Sequence, residues 1–259
     1  MASTVLVEID ESIATVILNN PGKMNAVNLD MWRGLTDAMN RLAADDGVRC
    51  IVLRGAGDTA FSAGADIEEF PRTRLNAEQA RAYAKVTQAA MESIAHCRRP
   101  TLAMIRGACV GGGLEIASMC DMRICGESSR FGIPVNRLGL VLSYGEMSAL
   151  VGLVGRPTAL EILLEGRVFG AEEALQKRLV NRVVKDEDLA AEVRSAARRI
   201  SQGAPLVQSW HKKFARRLEQ PSPLTAEELD EAFDCFDTED FRIGYQAFCR
   251  KTRPVFTGR

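Results

Sequence analysis

The sequence lacks an excess of charge of either sign. Its 259 residues include 33 basic and 34 acidic side chains, which leaves a net charge of −1. Non-specific binding to nucleic acid or to an anionic membrane surface depends on a broad basic surface. We therefore expect neither nucleic acid nor a membrane among the partners, and any anionic ligand must be bound by local groups.

Segments that would direct the chain into a membrane or a secretory route are also missing. Residues 1–10 contain Glu8 and Asp10 and have neither the basic nor the apolar part of a secretory signal, and no apolar run reaches the length of a membrane-spanning helix. The seven cysteines form no C-x-x-C pair, which favours reduced core thiols over a disulfide framework or a zinc site. These absences predict a cytoplasmic location and no bound metal.

What the sequence does contain is the alternation of strand and helix patterns that is typical of α/β proteins. Residues 5–18 alternate apolar and polar side chains around a short polar break, which predicts a β-hairpin. Asn28 precedes apolar residues at helical spacing and is a candidate helix cap. Further short apolar runs predict buried strands at residues 50–53, 101–105 and 122–125.

The carboxy-terminal part is mainly helical in pattern. We divide the chain into a core of residues 1–200 and a helical region of residues 201–259 within the same structural unit, since no internal repeat or low-complexity linker separates them. Leu229, Phe233 and Phe236 share one face of a predicted helix. Such a stripe is either packed in the core or covered by another subunit, and both interpretations stay open.

Two glycine-containing turns stand out as candidates for chemistry. One spans residues 60–66, and the other runs from Gly107 through Gly111, Gly112 and Gly113 into a predicted helix. Glycines at a helix start leave backbone N–H groups unpaired and open to a ligand, and the helix dipole favours negative charge there. The turn could therefore form an oxyanion hole, permit tight packing or hold a phosphate, although neither standard nucleotide-loop signature is present.

Three stretches resemble the signature segments of the enoyl-CoA hydratase/isomerase (crotonase) superfamily, in the same order and separation. They are residues 18–26 (LNNPGKMNA), 60–66 (AFSAGAD) and 111–121, which begin GGGLE and end CD. The resemblance implies an α/β spiral of ββα units with a C-terminal helical oligomerisation region that forms homotrimers or dimers of trimers. It also implies an acyl-CoA thioester as ligand, with coenzyme A as part of the substrate and no separate cofactor.

The same resemblance implies a role for individual residues. The backbone N–H groups of Ala65 and Gly112 would hold the thioester oxygen, and Glu115 would be a catalytic carboxylate. Lys23, which could equally be an exposed turn lysine, would lie along the coenzyme A. The other implied substrate-binding residues are Met24, Ala26, Ala63, Gly64, Asp66, Ile67, Gly111, Pro134, Val135 and Gly139.

The main departure from the family pattern lies at Val135, where hydratases of the family carry a second catalytic glutamate. Tyr144 and Glu146 are candidates for a second acid or base, although Glu146 could simply be a charge at a helix start. Glu115 could likewise complete a capping interaction instead of acting in catalysis. A positioned acid or base contributes about 10²–10⁴-fold to the rate, so the change at Val135 bears directly on the chemistry.

Several functions therefore stay open at this point. The interpretation we favour is an enzyme that stabilises a thioester enolate and adds water to, or isomerises, a 2-enoyl-CoA. The alternatives within the family are a decarboxylase, another acyl-CoA enzyme and a weakly active acyl-CoA-binding protein. A serine hydrolase is disfavoured because Ser143 is not framed as G-x-S-x-G, and a pure interaction protein is disfavoured by the two glycine turns.

Overall fold

The computed structural model describes residues 4–259 and has two sheets surrounded by helices. The larger sheet has the strand order β1-β2-β3-β5-β7-β10, and the smaller one has the order β4-β6-β8-β9. The strands are β1 (Val5–Asp10), β2 (Ile13–Leu18), β3 (Cys50–Gly55), β4 (Ala60–Ser62), β5 (Thr101–Ile105), β6 (Ala108–Val110), β7 (Met122–Gly126), β8 (Arg130–Gly132), β9 (Phe169–Gly170) and β10 (Arg182–Val184).

Ten α-helices accompany these strands in the described part of the chain. They are α1 (Leu29–Ala44), α2 (Phe70–Thr73), α3 (Ala77–Ala95), α4 (Gly112–Met119), α5 (Tyr144–Glu165), α6 (Ala171–Gln176), α7 (Leu189–Ser201), α8 (Pro205–Arg217), α9 (Ala226–Asp230) and α10 (Glu239–Arg250). The predicted hairpin, the helix after Asn28 and the three predicted strands are all confirmed.

The larger sheet packs against helices on both faces, and its central strands are mainly apolar. In β3, Ile51 and Leu53 join the main core, which also takes residues from α1, α3 and α4. Cys50 and Val52 point to the other face and pack with residues of α7. Successive side chains of a strand alternate between faces, so one short strand contributes to both clusters. The strands from β2 to β10 pair in parallel, which suits a sheet covered by helices on both sides.

Helix α1 shows how local sequence determines an element. The Asn28 side chain accepts a hydrogen bond from Met31 N at 2.8 Å and so caps the helix start. Its apolar stripe is fully buried and includes Trp32 and Leu35. Asp45 follows the last helical residue in an extended conformation. The helix therefore begins where the sequence predicts.

Helix α5 is long and apolar enough, by length and composition alone, to cross a membrane, which the sequence analysis did not expect. Its backbone is broken at Gly155, whose φ of 76° and ψ of 157° are not helical, and Pro157 follows within the same element. Leu150 and Ile162, on either side of the break, are buried in the main core. Some of the apolar residues of α5 thus pack within this chain, although only 22% of its most apolar 18-residue window is buried.

The carboxy-terminal helices are joined to the rest of the chain by polar contacts. Lys212 of α8 forms an ion pair with Asp121 at 2.6 Å, and Arg216 donates to the Ala95 carbonyl at 2.9 Å. The predicted boundary at residue 200 falls within the last turn of α7. These contacts fit the prediction of one structural unit, whereas the division itself stays a prediction.

The apolar stripe of the carboxy-terminal region does not lie in the core of the chain. Leu229, Phe233 and Phe236 are 57%, 64% and 54% exposed. Only Leu229 belongs to α9, because the two phenylalanines lie in the 3-10 helix Glu231–Asp237 that follows it. The interpretation as intramolecular core is wrong. The interpretation as a subunit interface stays a prediction.

Candidate active site

The two glycine turns meet at one edge of the smaller sheet. Strand β4 leads into residues 63–66, and β6 leads through Gly111 into α4. The two strands pair in parallel, and the carboxyl ends of parallel strands lie at the same edge of a sheet. Gly64 and Gly111 have φ angles of 101° and 52°, in the region that glycine adopts without strain. The predicted turns are therefore neighbours in space.

Glycine is also needed because the two turns approach closely. A Cβ atom on Gly64 would lie 3.0 Å from Val110 O and 3.3 Å from Gly112 N. A Cβ atom on Gly113 would lie only 2.5 Å from Ser62 O, which is closer than real side chains come. The start of α4 can pack against β4 only because these positions have no side chain.

Two backbone amides at this junction have no acceptor within residues 4–259. They are Ala65 N and Gly112 N, and they lie close enough that a Cβ atom on Gly112 would be 3.5 Å from Ala65 N. Neighbouring amides donate to protein acceptors: Ala63 to Met24 O at 2.9 Å, Gly64 to Ser62 Oγ at 3.1 Å, Asp66 to Val27 O at 3.0 Å and Gly111 to Gly132 O at 2.9 Å. The fold thus leaves open the same two N–H groups that the sequence singled out.

Glu115 lies one turn into α4 and is partly buried. Its own N–H donates to Gly111 O at 3.0 Å, which makes it the fourth residue of the helix, and α4 has no side-chain cap. The capping interpretation of Glu115 is therefore wrong. Burial and, to a smaller extent, the negative charge of Glu146 raise the pKa of its carboxyl, and the positive charge of Arg74 lowers it, so that the net value is about 8.

Glu146 and Tyr144, the predicted candidates for a second acid or base, lie at the start of α5. Glu146 forms a capping box with Ser143: its carboxylate accepts from Ser143 N at 2.6 Å, and its own N–H donates to Ser143 Oγ at 3.4 Å. Its charge nevertheless acts on Glu115. The Tyr144 side chain is 95% exposed. Glu146 is thus near the catalytic candidate, while its contacts are those of a helix cap.

Three residues that the sequence analysis did not select adjoin this site. Trp32 is buried, and its Cζ2 atom would lie 3.4 Å from a Cβ atom on Gly112. Its indole N–H donates to the Tyr83 hydroxyl at 2.7 Å. The guanidinium carbon of Arg74 lies 3.8 Å from the centroid of the Tyr83 ring. Trp32 occupies a core position of α1 and Arg74 follows a short helix, so neither has a sequence pattern that would reveal its place.

The turn of residues 20–26 is fixed by Asn25, a fourth residue that the sequence analysis did not select. Its side-chain amide donates to Ala56 O at 2.9 Å and Ala60 O at 2.8 Å, and its carbonyl accepts from Asn20 N at 3.1 Å. Met24 and Asn25 both have positive φ angles. The turn therefore depends on a buried amide and not on the glycine that stands in it.

Lys23 is not a free turn lysine. Its ammonium group lies 2.8 Å from Asp66 and 2.6 Å from Glu68, and the hydrogen bond to Asp66 is the main cause of the raised pKa of Lys23. Asp66 also accepts from Glu68 N at 3.2 Å, so it caps a short 3-10 helix. These ion pairs bring the first and second signature stretches together.

The remaining predicted binding residues differ in how far they are exposed. Pro134 and Val135 start a 3-10 turn that ends at Gly139, whose φ is 68°. Val135 is partly buried against the main core, and Ile67 is 62% exposed. Ala26 is buried. In the described residues no group of three or more His, Cys, Asp or Glu side chains is placed to hold a metal ion.

Comparison with known proteins agrees with this architecture over nearly the whole chain. The chain is 33% identical over 257 residues to the crotonyl-CoA hydratase of Syntrophomonas wolfei, covering 98% of each. It is 32% identical over 253 residues to the short-chain-enoyl-CoA hydratase of Clostridium acetobutylicum, covering 97% of this chain and 96% of the relative.

Solved structures agree as well. A crystal structure of an enoyl-CoA hydratase/carnithine racemase from Magnetospirillum magneticum superposes with a TM-score of 0.98 at 47% identity, covering 100% of this chain and 97% of the other. The sequence profile described as enoyl-CoA hydratase/isomerase matches residues 8–259. The protein is therefore an enzyme of the enoyl-CoA hydratase/isomerase family, with the crotonase fold.

Proposed function

We propose that this enzyme holds the carbonyl oxygen of an acyl-CoA thioester between the N–H groups of Ala65 and Gly112, and adds water to or isomerises a 2-enoyl-CoA. Glu115 transfers the proton. The observation that carries the proposal is a pair of open amides, one in the turn after β4 and one at the start of α4, where α4 also bears a carboxyl with a pKa raised to about 8. Relatives named as enoyl-CoA hydratases support the reaction class.

The two amides suit an oxygen that gains charge during the reaction. Removal of one such donor typically costs about 10²–10³-fold in rate, and the amino terminus of α4 adds a partial positive charge close to Gly112. The donors belong to the backbone of two turns that pack without side chains between them. They need no rearrangement when the enolate forms, which is the condition for stabilising it.

A single carboxyl must satisfy the proton balance of the reaction. In hydration, the water oxygen bonds to C3, one of its protons leaves, and a proton bonds to C2. In isomerisation, a proton leaves one carbon and another reaches a second carbon two bonds away. Glu115 can accept and release a proton in turn when its pKa lies near the working pH, and a pKa of about 8 meets that condition.

We also assign the other predicted residues within this proposal. Lys23, Met24 and Ala26 lie along the coenzyme A, which needs no separate cofactor, and residues 63–67 line the thioester. The exposed stripe of Leu229, Phe233 and Phe236 is covered by a neighbouring subunit in a homotrimer or a dimer of trimers. The enzyme acts in the cytoplasm.

Replacement of Glu115 by Gln tests the central claim. The rate of crotonyl-CoA hydration, measured from the loss of absorbance of the conjugated thioester, should fall about 10²–10⁴-fold. Binding of butyryl-CoA, measured by calorimetry, should persist because the two amides remain. Glu219→Gln, at an exposed site, is the matched control. Unchanged turnover in Glu115→Gln would remove this residue from the mechanism.

One observation favours a second candidate, namely an acyl-CoA decarboxylase or a weakly active acyl-CoA-binding protein. Val135 stands where hydratases carry a carboxylate, and in this structure it packs against the apolar core. A site with fewer carboxylates binds water less firmly near C3. A wild-type enzyme that binds butyryl-CoA and fails to hydrate crotonyl-CoA would favour this candidate, and release of CO₂ from a malonyl-type thioester would identify the decarboxylase.

A further inference from the structure

Arg74 is a positive charge held in place beside the candidate active site. Its guanidinium group stacks on the ring of Tyr83 at 3.8 Å and lies 4.9 Å from the centroid of the Phe70 ring. Its Nε atom is buried and has no hydrogen-bond partner in the described residues, where no carboxylate forms an ion pair with it. A buried N–H group of a charged side chain is costly when it has no partner, but the Nε atoms of Arg99 and Arg106 share this feature. What distinguishes Arg74 is its position beside the site together with the lack of a paired carboxylate.

The contacts of Arg74 lead directly to the oxyanion turn. Tyr83, on which it stacks, accepts a hydrogen bond from Trp32 at 2.7 Å. Trp32 in turn lies against the start of α4, 3.4 Å from the position of a Cβ atom on Gly112. The charge of Arg74 also acts on Glu115, one turn further along α4. Arg74 therefore belongs to the wall around the reacting part of the site.

Most other cations near the two signature turns already have a protein anion. Lys23 pairs with Asp66 and Glu68, and Arg72, two residues before Arg74, lies 3.9 Å from Glu69. Arg74 has aromatic contacts instead, which hold a planar guanidinium group without neutralising it. A ligand that brings its own carboxylate would neutralise this charge.

On the basis of the proposed function, we propose that the acyl chain of the preferred substrate ends in a carboxylate, and that Arg74 binds it. The thioester end lies at Ala65 and Gly112, and the far end of a short chain reaches the guanidinium stacked on Tyr83. Arg74 is then a residue that determines substrate specificity. It selects the mono-CoA thioester of a dicarboxylic acid over the neutral thioester of the same length.

A different role for Arg74 would be to adjust the charge balance around Glu115 without touching the substrate. In that role, replacing Arg74 would change the rate equally for every thioester, because each reaction uses the carboxyl of Glu115. Recognition of a terminal carboxylate predicts an effect on charged substrates alone. The ratio of two matched substrates therefore separates recognition from an indirect effect.

The test compares thioesters that differ only in the terminal group. Calorimetry compares the binding of glutaryl-CoA with that of valeryl-CoA, and of adipyl-CoA with that of hexanoyl-CoA. The value of kcat/KM is then measured for the corresponding 2-enoyl thioesters. For the wild type we expect the carboxylated member of a pair to bind about 10- to 100-fold more tightly, the range for hydrogen bonds to a charged group. Arg74→Met should abolish that preference, Arg74→Lys should retain part of it, and Arg81→Met, at an exposed position of α3, should leave it intact.

The outcomes separate this inference from the function on which it rests. If both members of each pair bind equally to the wild type, the recognition of a terminal carboxylate is refuted while the acyl-CoA site stands. An equal loss for charged and neutral substrates in Arg74→Met, with no recovery in Arg74→Lys, would likewise overturn it. If none of the thioesters binds, the proposed function fails first and this inference with it.

Discussion

Ionisation of Glu115 should make the stability of this enzyme depend on pH in a way that one substitution removes. The carboxyl has a pKa raised to about 8 by burial and by the charge of Glu146, against an ordinary value of 4.5. Between these two values the unfolded chain loses the proton and the folded chain keeps it. The free energy of unfolding therefore falls as pH rises through this range, because the folded state binds more protons. Glu115→Gln cannot ionise and should not show this contribution.

The size of the effect follows from the two pKa values. A tenfold change in proton affinity corresponds to about 1.4 kcal/mol, so the difference between 4.5 and about 8 gives an upper bound of about 5 kcal/mol. Glu115 is only partly buried, and solvent and relaxation reduce such values. We expect about 2–3 kcal/mol. Wild type and Glu115→Gln should therefore match near pH 4, and the variant should be more stable by that amount at pH 9.

The assay is urea unfolding of both proteins at one protein concentration across this pH range, with Glu219→Gln as a control for the loss of one exposed carboxylate. Fixed concentration is needed because subunit association would add to the apparent stability. The difference between wild type and Glu115→Gln should grow from pH 4.5 to pH 8 and then level off. A difference in the free energy of unfolding that is constant over the whole pH range would refute the inference that burial raises the pKa of Glu115.

Three further predictions concern backbone packing, the missing carboxylate and the chain terminus. Gly113→Ala places a Cβ atom 2.5 Å from Ser62 O. It should lower the free energy of unfolding by about 1–3 kcal/mol and kcat by more than about tenfold. Gly152→Ala is the control, because a Cβ atom there meets nothing within 4 Å and should not destabilise the protein. Val135→Glu should raise the rate of crotonyl-CoA hydration by about 10²-fold or more, and an unchanged rate would show that this position does not face the water. Asp240 accepts from the N–H groups of residues 257 and 258 at 2.7 and 3.1 Å. Asp240→Ala should therefore lower the free energy of unfolding by about 1–3 kcal/mol and increase proteolysis of the carboxy-terminal tail. Unchanged proteolysis of the tail in this variant would contradict the anchoring role of Asp240.

Much of the fold could be predicted from the sequence because its signals are local. Asn28 and the apolar spacing after it determine where α1 begins and which face it buries. The glycines at 111 and 113 mark a turn where two backbones approach closely. Each of these patterns lies within a few residues, so periodicity and turn chemistry are enough to recognise it. The open amides of Ala65 and Gly112 could be selected only through the family resemblance.

The parts that could not be predicted depend on contacts between distant residues. Arg74, Tyr83 and Trp32 come from three separate elements, and only the folded chain brings them to Gly112. The stripe at Leu229 and Phe233 illustrates the same limit, because periodicity reports an apolar face and not what covers it. Likewise, the break at Gly155 divides a long apolar run into two helical pieces, which composition alone does not reveal.

The charges around Glu115 bear on how a single carboxyl could serve both proton transfers of the proposed reaction. Burial and the charge of Glu146 raise the pKa of Glu115, and the charge of Arg74 lowers it. The resulting pKa of about 8 lets the carboxyl exchange a proton near neutral pH. A carboxylate from the substrate that pairs with Arg74 would cancel the lowering influence. Glu115 would then hold its proton more firmly with the charged substrate bound than in the free enzyme. Recognition of the acyl chain and protonation of the enolate would thus be coupled through a single arginine.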